Sequence, residues 1–126
     1  MILVDTSVWI EFFRGKEPFV SKLMTLIEAS EVFAHEIVFG EILQGCKNKT
    51  ELAVVFEYWD SLNQIVSNGS IVNAGSLSFE KKHFEHGIGL IDSILIYETI
   101  TRNIKLWTLD RKILKLLDGS SVYQWQ

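Results

Sequence analysis

The sequence predicts an α/β domain whose parallel sheet is covered by helices on both faces, and three observations predict it. The chain opens with Ile2-Leu3-Val4 running straight into Asp5-Thr6-Ser7. A short unbroken apolar run with two β-branched residues is the mark of a strand buried on both sides at the centre of such a sheet. Strand-like and helix-like segments then alternate to the C-terminus, the pattern of repeated strand–helix–strand units. The chain has 126 residues, 48% of them hydrophobic, enough for one packed core and too apolar for a disordered chain. Residues 1–126 are therefore read as one domain.

The elements follow in order. After the first strand, Val8 to Phe13 reads as a short helix stopped at Gly15. Pro18 suits the first turn of a second helix, and Val20, Leu23, Met24 and Ile27 in that helix keep the i, i+3, i+4, i+7 spacing of one apolar face. Glu31 to Ala34 reads as a second strand, and a third helix runs from about Glu36 to Cys46. A fourth helix begins near Lys49 with Leu52, Val55, Phe56 and Trp59 as its stripe. Gln64 to Val66 is a candidate strand ending in the turn signal Asn68-Gly69. Ile71 to Phe84 reads as a helix with Ile71, Ala74, Leu77 and Phe84 inward. Gly87 and Gly89 break the chain, Asp92 opens a helix over Ser93 to Thr101, and Lys105 to Thr108 is a further strand. Asp110 starts a short helix through Leu117, and Val122 to Trp125 is the candidate fifth strand.

Composition excludes several classes. A single cysteine, Cys46, forms no internal disulfide, so nothing indicates an oxidising compartment. No targeting segment and no apolar run of membrane-spanning length is visible, which predicts a cytoplasmic protein without a membrane partner. The formal net charge of −4 is not that of a protein held on nucleic acid by a basic surface. Lys81 and Lys82, like Arg111 and Lys112, read as solvated surface. No GxxxxGK[ST] loop is present, and no GxGxxG follows the first strand. His83 and His86 are spaced for a metal pair but lack a third zinc ligand, and they read as surface residues.

Four acids stand out. Asp5 ends the first strand, Asp92 and Asp110 each begin a helix, and Glu41 lies among apolar neighbours in Ile37 to Leu43. In a parallel α/β sheet the strand ends and the helix starts that follow them share one edge, where ligands bind. Asp5, Asp92 and Asp110 fall at that edge, and Glu41 reaches it from a helix interior, with Gly40 beside it leaving room for a close approach. Each acid also suits a structural part: aspartate is a good helix N-cap, and a glutamate on a helix commonly faces water. Converging carboxylates repel one another, however, and a divalent cation relieves that repulsion. Mg²⁺ or Mn²⁺ prefers oxygen ligands and keeps several waters. The hydroxyls of Thr6, Ser7 and Thr108 adjoin these acids and are placed to orient a carboxylate or a water.

At these residues the chain resembles the PIN-domain ribonucleases, in particular the VapC toxins of prokaryotic toxin–antitoxin pairs. The resemblance rests on Ile2 to Ile10, on Gly40-Glu41-Ile42-Leu43-Gln44-Gly45, on Asp92-Ser93-Ile94-Leu95-Ile96 and on Leu106-Trp107-Thr108-Leu109-Asp110-Arg111, four motifs in order across essentially the whole chain. It implies a three-layer domain with a five-stranded parallel sheet, and Mg²⁺- or Mn²⁺-dependent cleavage of single-stranded or loop RNA. It further implies metal ligation by Asp5, Glu41, Asp92 and Asp110, with Thr6 and Thr108 as accessory polar groups. A VapB-type antitoxin and a second copy of the chain are the implied protein partners. An antitoxin segment is expected in an apolar groove near Trp9, Ile10, Phe12 and Phe13 and the helices after them. The chain departs from the family pattern at Ile96-Tyr97 and at Arg111-Lys112-Ile113. Two other readings accompany this one: a doubly wound phosphohydrolase with an aspartyl nucleophile, which would need an acid where Ser7 stands, and a non-catalytic domain whose acids bind a cation.

Overall fold

The apolar run at the chain start becomes a strand in the computed structural model, which describes residues 1–126. The strands are β1 (Ile2–Val4), β2 (Val32–His35), β3 (Asn63–Ile65) and β4 (Lys105–Trp107). The helices are α1 (Thr6–Phe13), α2 (Phe19–Glu28), α3 (Glu36–Gln44), α4 (Lys49–Ser61), α5 (Ser70–Glu80), α6 (Leu90–Arg102) and α7 (Arg111–Leu116). The sheet order is β3-β2-β1-β4 and every pairing is parallel. β1 is flanked on both sides, pairing Leu3 with Phe33 and with Leu106, and all three of its side chains are buried. This is why its sequence is uniformly apolar rather than alternating.

Local chemistry sets most helix ends. Asp5 caps α1 by accepting from Thr6 N–H, and Gly15 beyond its end adopts φ +75°, the left-handed conformation that glycine takes without strain. Asn48 accepts from Glu51 N–H while the Glu51 carboxylate accepts from Lys47 N–H, a reciprocal cap on α4. The core is one cluster of buried side chains between sheet and helices, centred on Leu3, Val4, Trp9, Phe39, Leu95 and Trp107. No helix is long and apolar enough to cross a membrane.

The structure corrects several expectations. The sheet has four strands, not five: Val122 makes one isolated parallel bridge to Leu106, and Tyr123 N–H donates to Leu106 O at 2.9 Å. Side-chain packing rather than a ladder holds the C-terminal segment, with Tyr123 5.0 Å from Trp107 and Trp125 5.0 Å from Phe19, ring centre to ring centre. The helix expected over Ile71 to Phe84 ends at Glu80. Lys82 turns left-handed at φ 55°, and a single 3₁₀ turn follows over His83–His86. That turn breaks the helical phase, so His83 rather than Phe84 goes inward and Phe84 is 86% exposed. α6 starts at Leu90 with Gly89 at its cap, so Asp92 sits inside the first turn and is not the capping residue. In α4 only Val55 of the expected stripe is fully buried, while Leu52 and Phe56 are exposed. Ile96 and Ile113, at the departures from the family pattern, are both core residues.

Candidate active site

The end of β1 delivers Asp5 to the carboxyl edge of the sheet, and the end of β4 delivers Thr108 beside it. Asp5 is 6% exposed and its carboxylate is hydrogen-bonded from three directions. Oδ1 accepts from Thr6 N–H at 2.7 Å, and Oδ2 accepts from Ser7 Oγ at 2.9 Å and Thr108 Oγ1 at 2.7 Å. Both hydroxyls act a second time as acceptors: Ser7 Oγ takes Leu109 N–H at 3.1 Å and Thr108 Oγ1 takes Asp110 N–H at 3.0 Å. The turn that carries Asp110 is thus fastened to Asp5 through two side chains. A carboxylate offers about four lone-pair positions. Oδ2 has used both of its own, whereas Oδ1 retains one. Asp5 therefore both caps α1 and keeps an oxygen able to take a cation.

Asp110 accepts from Lys112 N–H at 2.8 Å and caps α7, as its sequence position allows. Glu41 lies on the exposed side of α3: on a helix, residues that flank one another in sequence point to different faces, so its apolar neighbours do not bury it. It nevertheless reaches the site, since Thr6 Oγ1 donates to Glu41 Oε1 at 2.8 Å. Gly40 has open space where a side chain would be, so no backbone approaches it.

Asp92 registers the convergence. Its carboxyl is pushed from 3.8 up to about 6, first by burial and then by the negative charges of Asp5, Asp110 and Glu41, with Lys112 acting in the opposite direction. The charges of the other three predicted acids therefore all bear on Asp92. They do not form a ready-made cluster of three ligating side chains. The donors at this edge are all oxygen, a chemistry that suits a hard divalent cation with part of its shell supplied by water.

Sequence reasoning missed two features. Lys112, read as surface, folds its side chain against Gly87, with Nζ and Cδ each 3.3 Å from where a Gly87 Cβ would stand, and its charge bears on Asp92. His83 is buried, not superficial, and its Nδ1 meets Ser93 Oγ at 2.9 Å. Burial, then His86 and Lys81, lowers its pKa. No signal in the sequence marked His83, because its partner Ser93 stands ten positions away on another helix. A second buried pair lies apart from the acids. His35 Nδ1 accepts from Ile37 N–H, which leaves the ring proton on Nε2 facing Glu98 Oε2 at 3.0 Å. Burial lowers the His35 pKa against the opposing pull of Glu98, so this contact is a neutral histidine donating to a carboxylate.

A groove of about 540 Å³ opens beside Glu41, with Ile10, Phe13 and Val54 among its apolar lining and Arg14 and Lys47 among its charged lining. Of the early aromatic run, Trp9 and Phe12 belong to the core, whereas Ile10 and Phe13 face this groove.

A four-stranded parallel sheet flanked by helices, with four carboxylates at its carboxyl edge, defines an α/β protein with a candidate cation centre. The family model for the PIN domain matches residues 2–118, and the chain belongs to that family. It is 28% identical over 116 residues to Ribonuclease VapC32 of Mycobacterium tuberculosis, an alignment covering 90% of this chain and 87% of that protein. Its fold is similar to a chain of a toxin–antitoxin complex from Klebsiella pneumoniae, with a TM-score of 0.76, 21% identity and 94% of each chain covered. It is also similar to a chain of VapBC2 from Rickettsia felis bound to a DNA fragment from their promoter, with a TM-score of 0.75, 19% identity and all of both chains covered.

Proposed function

We propose that this protein is a Mg²⁺- or Mn²⁺-dependent endoribonuclease that acts in the cytoplasm as the toxin of a toxin–antitoxin pair, with residues 1–126 forming its PIN domain. The observation that carries the reading is the Asp5 clamp. A buried carboxylate is aimed by Ser7 and Thr108, keeps one free lone pair, and shares its edge with Asp92, Asp110 and Glu41. The relative named as a ribonuclease supports RNA as the substrate.

In this reading Asp5, Asp92, Asp110 and Glu41 hold the cation. Once bound, it supplies an activated water and stabilises charge developing on the phosphodiester. The chain's own residues do the positioning. Ser7 and Thr108 fix the Asp5 plane, and Thr6 holds Glu41 toward the edge from α3. Asp110 keeps its carboxylate at the site by capping α7. Asp92 must be ionised to contribute, and a cation removes the repulsion that otherwise favours its proton.

The solved toxin–antitoxin complexes of similar fold support an antitoxin partner. The groove ending at Thr6 and Glu41 suits the apolar face of an amphipathic VapB-type segment. A basic residue at the end of that segment would meet the acids and compete with the cation. Some of the exposed apolar surface serves a homodimer.

The test is cleavage of purified RNA by wild-type protein with Mg²⁺, Mn²⁺ or EDTA, beside Asp5→Asn. Cleavage only with a divalent cation and only by wild type is expected. Near wild-type cleavage by the variant would overturn the mechanism. Toxicity relieved by the small open reading frame beside the gene, with a co-purifying complex, tests the toxin role separately.

A further inference from the structure

The turn after α5 leaves Phe84 pointing into water. Its ring forgoes the burial that normally stabilises an aromatic side chain. Yet the turn that presents it is not loosely held. Lys82 and Gly87 bound it in left-handed conformations, and His83, the residue before Phe84, is locked inside on Ser93. Ser93 is next to Asp92 in the first turn of α6. The anchor that fixes the turn is therefore the same turn of helix that carries an acid of the proposed site. At the other end of the turn, Lys112 lies across Gly87, and its charge is the one that opposes the acids at Asp92. Lys81 and Lys82 begin the segment, with Glu85 and His86 also exposed on it.

An exposed aromatic ring on a rigid support, beside lysines and adjacent to a cutting site, has the chemistry of a single-stranded nucleic-acid platform. Bases stack on the ring whatever their sequence, and ammonium groups attract the phosphates. We propose that the His83–His86 turn and Lys112 form the substrate lip of the site, with an unpaired RNA base stacked on Phe84 and its phosphate drawn by Lys112 toward Asp92. This rests on the nuclease reading for the identity of the substrate. It adds which residues hold the RNA, on the α6 side of the site. Lys112 is a substrate-binding residue: its stem lies against the bare Cα of Gly87, and its ammonium offsets the repulsion between the acids and an incoming phosphate.

The experiment is fluorescence anisotropy with a labelled mixed-sequence 12-nucleotide RNA, single-stranded or annealed to its complement, in EDTA so that no cleavage intervenes. Wild type, Phe84→Ala, Phe84→Trp and Lys112→Gln are compared, with cleavage in Mn²⁺ and subunit mass by light scattering measured in parallel. Phe84→Ala is expected to weaken single-strand binding about tenfold, as loss of one stacked base does, and to leave the duplex unchanged. Phe84→Trp is expected to bind within about twofold of wild type. Lys112→Gln is expected to lower the salt dependence of single-strand binding by about 0.7 in log–log slope, one phosphate contact. Equal single-strand affinity of Phe84→Ala and wild type overturns the lip. So does a Phe84→Ala variant that falls from dimer to monomer with its RNA affinity intact, which would assign the ring to self-association. Phe84-dependent binding without any cleavage by wild type would uphold the lip and overturn the nuclease; cleavage with Phe84-independent binding would do the reverse.

Discussion

Replacing Asp92 by asparagine should make the protein more stable while destroying its proposed activity, and the pH dependence of the gain identifies its cause. Burial and the charges of Asp5, Asp110 and Glu41 move the Asp92 carboxyl from 3.8 to about 6. At about 1.36 kcal/mol for each tenfold change, this corresponds to about 3 kcal/mol of unfavourable interaction when the group is ionised. Asp92 is partly exposed, and water screens part of this cost, so about 1–2 kcal/mol is expected to be recovered by Asp92→Asn at pH 7.5. For a chain of this size that raises Tm by about 5 °C.

Between pH 3.8 and about 6 the folded protein holds a proton on Asp92 that the unfolded chain has released. Wild type therefore loses stability as pH rises through that window. Asparagine binds no proton, so the variant's advantage is absent below the window and complete above it. Thermal melts of both proteins in EDTA from pH 4 to pH 8 measure this directly. Adding Mg²⁺ or Mn²⁺ at pH 7.5 should raise the wild-type Tm and narrow the gap, because a ligand bound only by the folded state stabilises it. An asparagine variant no more stable than wild type at pH 7.5, or an advantage undiminished at pH 4, would refute the argument that the four acids repel one another at one edge.

Thr108→Val removes a donor from Asp5 and leaves the part-buried Asp110 N–H without its acceptor. Urea unfolding should show a loss of about 2 kcal/mol, and cleavage should fall about 10- to 100-fold because the Asp5 plane is no longer fixed. Glu41→Gln keeps an oxygen for Thr6 but not the charge; calorimetric titration should show roughly tenfold weaker cation binding, with stability unchanged within about 0.5 kcal/mol. His35→Leu leaves the buried Glu98 carboxylate with Arg102 as its remaining side-chain partner at 3.3 Å, and should cost about 3 kcal/mol in the same urea assay while leaving cation affinity unaltered.

What the sequence by itself determined is what neighbouring residues encode. The unbroken apolar run identified β1, because a strand flanked on both sides has no face to leave polar. Helical spacing and caps located the helices to within a few residues, since Asp5, Asn48 and Asp110 act on N–H groups two or three positions away or nearer. The four acids stood in motif order along the chain, and strand–helix alternation led to the expectation of Asp5, Asp92 and Asp110 at one edge with Glu41 reaching it from a helix.

Tertiary structure decided everything that depends on which segments meet. Ser7 and Thr108 join Asp5 to a turn more than a hundred residues later, and His35 finds Glu98 on a helix 63 positions away. No local pattern announces such pairs. Glu41 stands among apolar sequence neighbours, but the helix turns it outward, where Thr6 from another helix donates to it and its charge bears on Asp92. The expected fifth strand has the right composition, yet its aromatic side chains settle on Trp107 and Phe19, and that packing outweighs further pairing with β4. Phe84 passed for a core residue until the left-handed turn at Lys82 rotated it out of phase. Periodicity measures spacing along an unbroken element; a single backbone reversal resets it, and only the folded chain shows where that happens.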